Sequence, residues 1–123
     1  MQPDKIVKQY PLIRLSKRTV EPIKGRFVIN ADHFHDKASC LAEVYRALGF
    51  SKYISYANYD GLADLLTSQA WTEPIVSIDV INVQQLKNVD SDVISNIFNI
   101  FQDAIAEWSK NSKQLNVCLV EDA

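Results

Sequence analysis

Two apolar runs of strand length, Ile75 to Val80 (IVSIDV) and Leu115 to Val120 (LNVCLV), flank a long segment with helical periodicity, and that arrangement constrains the fold most. A nearly continuous apolar run predicts a strand buried on both faces. Between the runs, Val93, Ile97, Ile100, Phe101, Ala104, Ile105 and Trp108 fall on one helical face, while Asp92, Asn96, Asn99, Asp103, Glu107 and Lys110 fall on the other. Asp90 or Ser91 can cap that helix. Strands joined by a helix of this length form a parallel pair with a right-handed crossover.

The same logic extends upstream. Arg26 to Asn30 (RFVIN) predicts a further strand, and Cys40, Leu41, Val44, Tyr45 and Leu48 predict a helix over residues 36–48 that Gly49 ends. A tyrosine-rich loop (FSKYISYA) follows. Asn58 can then cap a helix of about ten residues, with Leu62, Leu65 and Leu66 inward and Thr67 and Ser68 near its end. A short helical turn is expected over Val83 to Lys87. The expected fold class is α/β, a small parallel three-stranded sheet with helices over residues 26–123, preceded by a basic N-terminal extension of residues 1–25. Within that extension YPLIRL, Tyr10 to Leu15, admits either an added strand or a loose basic arm.

At 123 residues, 47% of them apolar and 23% charged, the chain can bury one core, and three glycines leave room for long regular elements. No apolar run reaches the roughly 18 residues of a membrane span, and the first ten residues carry charge where a signal peptide has its apolar core. A cytoplasmic protein is expected. Cys40 and Cys118 form no CxxC pair and are expected as buried, reduced thiols.

The net charge of −2 hides a strong split. Residues 1–26 hold seven Lys/Arg against Asp4 and Glu21, whereas between Tyr53 and Trp108 eight acids face the single Lys87. An acidic body argues against nucleic acid as direct ligand, because phosphate binding needs clustered cations. It argues for a basic protein partner.

Enzyme chemistry finds no place. There is no GxGxxG, GxxxxGK[ST] or GxSxG, so the phosphate cradles and nucleophile turn common in α/β enzymes are missing. His33 and His35 alternate across an expected strand end and point to opposite faces; a metal would need a third ligand converging on one of them, and the two are expected as solvated histidines in a connecting loop. Cys40 with either histidine lacks an orienting group. No cofactor, metal or catalytic residue is expected. Asp60 and Asp64, four apart, share the helix face opposite Leu62, Leu65 and Leu66, where their charges repel. Asp103 and Glu107 repeat that spacing on the polar face of the long helix, where a solvated face accounts for them as well. Tyr53, Tyr56, Tyr59 and Trp71 surround the acidic pair with aromatic surface, a composition suited to binding.

The order of these parts resembles the barstar family of intracellular ribonuclease inhibitors. The likeness is carried by VIN at residues 28–30, by the segment Tyr56-Ala57-Asn58-Tyr59-Asp60-Gly61-Leu62-Ala63-Asp64-Leu65-Leu66-Thr67 with its N-x-D-x-L-x-D-x-L pattern, by Pro74, by Phe101-Gln102-Asp103-Ala104 and by the terminal strand. The chain departs from the family at Ala63, where an aromatic is usual, and at Tyr56-Ala57, where Gly-Glu precedes the asparagine. The resemblance implies an inhibitor or immunity protein, a monomer that plugs the active site of one basic ribonuclease or toxin domain. It also implies that Asp60 and Asp64 meet the partner's cations, that Asp103 meets a further arginine and that Tyr53 or Tyr56 packs on the partner. Asn58, Thr67, Trp71 and Glu107 complete the expected partner-binding set. The alternatives are an interaction module of the same fold without inhibitory activity, and immunity to a toxin of another activity.

Overall fold

The computed structural model describes residues 1–17, 26–68 and 71–121. Four helices, α1 (Pro3–Gln9), α2 (Lys37–Ala47), α3 (Tyr59–Leu66) and α4 (Ser91–Lys110), accompany four strands, β1 (Arg14–Ser16), β2 (Arg26–Asn30), β3 (Ile75–Ile81) and β4 (Gln114–Val120). The strands form one sheet in the order β1-β4-β3-β2, parallel at every pairing.

Alternation along each strand divides the sheet. Ile29, Val76, Ile78, Val80, Leu115, Val117 and Leu119 join a single core with Leu41, Val44 and Tyr45 of α2, Leu62 and Leu66 of α3, and Ile97, Phe101 and Trp108 of α4. The expectation that β3 is buried on both faces is met on one: Val76, Ile78 and Val80 are buried, whereas on the other face Ile75 is exposed, Ser77 and Ile81 are half-buried and only Asp79 is buried. Asp79 is wholly buried and pairs with Arg26 of β2 at 3.2 Å, the neutralisation that a carboxylate at such depth requires.

Helix boundaries follow local chemistry. Asp36 caps α2 by accepting from the Ser39 N–H at 2.8 Å, the Ser39 hydroxyl reciprocates at the Asp36 N–H, and Gly49 leaves the helix at φ 83°, a left-handed conformation that glycine adopts without penalty. The Ser39 N–H also holds the Asp36 carboxyl below its ordinary range. Asp90 caps α4 through the Asp92 N–H at 2.8 Å. The expected turn after β3 is a 3-10 helix over Val83–Asn88.

The sheet has four strands where the sequence predicts three. The added strand is β1, whose Arg14, Leu15 and Ser16 register with Cys118, Leu119 and Val120 of β4. An edge strand leaves a row of backbone donors and acceptors unpaired, and three residues of β1 satisfy that row on β4. Glu121 N–H extends the ladder to Ser16 O at 2.7 Å. Ahead of it Ile6, Tyr10 and Ile13 are buried in the common core, and the Tyr10 hydroxyl donates to Ser95 O of α4 at 3.2 Å. Residues 1–17 are thus built into the domain, while the basic residues expected at Arg18 and Lys24, with Glu21, lie outside the described residues, as does Asp122.

The histidines are solvated in a connecting loop, as expected, but not at a strand end. The strand ends at Asn30, and His33 closes a 3-10 turn (Ala31–His33) that Asn30 caps through the Asp32 N–H. Both His33 and His35 are exposed beside this turn, so strand alternation does not orient them. Among the described residues no group of three or more His, Cys, Asp or Glu could hold a metal ion, and no helix is long and apolar enough to cross a membrane.

Candidate acidic docking site

The acidic helix α3 has only two turns, and its placement depends on contacts at both ends. At its start, Asn58 accepts from the Gly61 N–H at 2.6 Å, satisfying one of the amides that a helix N-terminus leaves open. Leu62 and Leu66 are fully buried and Leu65 is half-buried. That anchorage turns Asp60 and Asp64 outward, and both are exposed. Asp60 lies in the first turn, where the helix dipole favours a carboxylate.

Two indole groups hold the other end. Trp71 Nε1 donates to Leu65 O and Trp108 Nε1 to Leu66 O, each at 2.8 Å, occupying carbonyls that the last turn cannot bond internally. The Trp71 ring meets Phe27 and Phe50 at 5.6 Å and Trp108 at 5.7 Å, all edge to face. Sequence reasoning placed Trp71 on a binding surface; the structure makes it first a clasp, half-buried, with one edge left open.

A groove of about 710 Å³ separates α3 from α4. Asp64, Thr67 and Trp71 line one side, and Asp103 and Glu107 of α4 line the other. Five expected site residues, from segments about forty positions apart, therefore meet in one depression. Thr67 is fixed there by its hydroxyl, which donates to Ala63 O at 2.9 Å. Among the described residues no ion pair involves Asp60, Asp64 or Asp103, and Glu107 approaches only the exposed Lys110 at 3.9 Å. The groove accordingly presents Asp64 and Asp103 outside any ion pair among the described residues.

The remaining expected residues precede α3. The tyrosine-rich segment is a 3-10 helix over Ser51–Tyr56 that buries none of its residues. Tyr56 is 78% exposed and Tyr53 40%, and Lys52 lies over the Tyr53 ring at 5.0 Å. Tyr53, Tyr56, Asn58 and Asp60 do not line the groove; they extend the surface beyond it along the N-terminal side of α3. Exposed Ile54 lies among these tyrosines, and sequence reasoning missed it because one apolar residue in a polar loop carries no periodic signal. It also missed Lys113, which lines the groove and donates to Trp71 O at 2.7 Å. A lysine bonded to a backbone carbonyl 42 residues away leaves no trace in local pattern.

The family model described as Barstar (barnase inhibitor) matches residues 26–120. No curated protein and no solved structure matches the chain. The match takes in β2 through β4, the capped acidic helix and both walls of the groove, and on that ground the chain belongs to the barstar family.

Proposed function

We propose that this chain is a proteinaceous inhibitor, or immunity protein, that binds a basic ribonuclease or ribonuclease toxin through α3, the preceding tyrosine-rich 3-10 helix and the α4 wall of the groove. The observation that carries this reading is that Asp64 and Asp103 stand on opposite walls of one groove, exposed and outside any ion pair among the described residues. A ribonuclease active site must be cationic to hold phosphate. Carboxylates set in a convex helix can take the phosphate positions while offering no bond to cleave. Inhibition is then occlusion, and it requires no nucleophile, metal or cofactor of the inhibitor's own. The family description, an inhibitor of a ribonuclease, supports the same reading.

In this reading the exposed Tyr56 and Tyr53 supply apolar contact at the rim, and Asp60, Asp64, Asp103 and Glu107 supply the charge. Capture of binding proteins from the source cell on the immobilised chain, followed by an RNA-cleavage assay on each captured protein, tests it. A captured basic protein whose RNA cleavage is abolished at one equivalent of the chain is the expected result. A tight partner without ribonuclease activity would replace the inhibitor with an interaction module or with immunity to another toxin.

A further inference from the structure

The two ends of α3 are held by different means. Its last turn is fixed by the two tryptophan donors; over its first turn α2 places Lys37, 4.5 Å above the Tyr59 ring, and the hydroxyl of Tyr45, which alone reaches the backbone of Asn58. The hydroxyl of Tyr45 donates to Asn58 O at 3.1 Å and lies 3.4 Å from the Asn58 N–H as its acceptor. The same carbonyl accepts the first helical bond, from Leu62 N–H at 3.0 Å. The Asn58 side chain meanwhile caps Gly61 and donates to Tyr56 O at 3.2 Å. Every polar group of Asn58 is thus engaged, and Tyr45 serves both of its backbone groups.

Gly61 is what lets the hydroxyl reach them. A Cβ at position 61 would meet the Tyr45 hydroxyl at 2.8 Å and the Asn58 Oδ1 at 3.1 Å. The backbone there is helical and not left-handed, so conformation alone would favour alanine, and glycine inside a helix is the worse residue. Space decides instead. Tyr45 cannot withdraw, because its ring is only 1% exposed and packs edge to face on Phe50 at 6.5 Å.

We propose that Tyr45 is the positioning residue of the acidic helix: its hydroxyl, set in the space that Gly61 leaves, fixes the first turn of α3 and with it the direction in which Asp60 leaves the domain. Its importance for binding rests on the inhibitor reading above, whereas the geometry can be tested on the isolated protein. Asp64 lies nearer the tryptophan-held end, so loss of the latch displaces Asp60 more than Asp64.

Thermal melts of Gly61→Ala, Tyr45→Phe and the double variant provide the first measurement. Gly61→Ala lowers the melting temperature when the tyrosine is present and costs roughly 4 °C less in the Tyr45→Phe background, where the hydroxyl contact is gone and only the 3.1 Å approach to Asn58 Oδ1 opposes the helix preference. The same response to Gly61→Ala in both backgrounds overturns the proposal. The second measurement is amide hydrogen exchange in Tyr45→Phe, which keeps the buried ring. Exchange at Asn58 and Gly61 accelerates roughly fivefold or more, as loss of one hydrogen bond implies, while amides near Trp108 in α4 are unchanged. Unaltered exchange at Asn58 and Gly61 overturns it too. Should the dependence on background and the local exchange appear while no captured protein is a ribonuclease, the latch stands and the inhibitor reading fails.

Discussion

The indole nitrogen of Trp108 donates to the carbonyl oxygen of Leu66 at 2.8 Å, joining α4 to the last turn of α3 across 42 residues of sequence. Trp108→Phe keeps an aromatic ring in the core but leaves that buried carbonyl without its donor, so stability should fall by about 2 kcal/mol. Urea denaturation measures the loss. Faster amide exchange in the last turn of α3, with β3 unaffected, would place it at this contact.

That bond marks the boundary of what the sequence discloses. The caps at Asn58 and Asp90 and the stop at Gly49 were legible because each rests on chemistry within four residues. Strands β3 and β4 were legible because one wholly buried face, with apolar or buried residues over much of the other, writes itself as nearly continuous apolar sequence. The strand β1 was not, since three residues with Leu15 alone packed on the core carry too short a pattern to separate a strand from an arm. The acids of the docking site were visible as residues, yet the meeting of Asp64 with Asp103 in one groove depends on helix packing that no local spacing encodes.

Acid should weaken the junction of α2 with β2. The Glu43 carboxylate, buried on α2, accepts from Asn30 N–H at 2.8 Å and from Arg46 Nε and Nη2 at 2.8 and 2.7 Å. Burial pushes its carboxyl up, but the Arg46 and Asn30 donors outweigh that and hold it below its ordinary 4.5. A carboxyl lowered on folding adds stability that is complete above its unfolded value and disappears as pH falls through the folded one. Melting temperatures of the native protein should therefore drop as pH descends below about 4.5. In Glu43→Gln that part of the drop should be missing, and a parallel pH profile would assign the acid sensitivity to other groups.

The thiols should be inert in the folded chain. Burial, with the charge of Asp36 adding to it, pushes the Cys40 thiol up to about 11, and Cys118 is also buried. Thiolate is the reactive form, so a thiol reagent at neutral pH should label neither until denaturant is added. Rapid labelling of the native protein would mean that α2 or β4 opens readily.

Under the proposed inhibitor function, Asp64→Ala should weaken capture of a basic partner by more than a hundredfold, about 3 kcal/mol, because it would strand a desolvated cation on the other side. Its melting temperature should stay close to that of the native protein, since the side chain is exposed and outside any ion pair among the described residues. Titration calorimetry beside a thermal melt separates the two effects. Unchanged affinity would remove Asp64 from the docking site.

Association with that partner should be fast at low salt and slow steeply as salt rises, while dissociation changes little. Attraction between the acidic surface and a basic protein acts before contact and is screened over about 10 Å at 0.1 M salt. Once docked, the carboxylates of the groove are shielded from ions by the partner itself. Stopped-flow mixing across a salt series reads both rates, and a flat association rate would make the acids a merely solvated face.

The pairing of β1 with β4 also sets an order of events. Arg14 registers with Cys118, so among the described strands the first in sequence lies beside the last, about a hundred residues on. Closing a loop of that length costs little more than closing a moderate one, but it cannot begin until β4 exists and has paired with β3. Refolding should accordingly finish with the pairing of β1. On the ribosome Tyr10 can already find Ser95 and Phe98 of α4, but Arg14, Leu15 and Ser16 have no ladder to join until Val120 has cleared the exit.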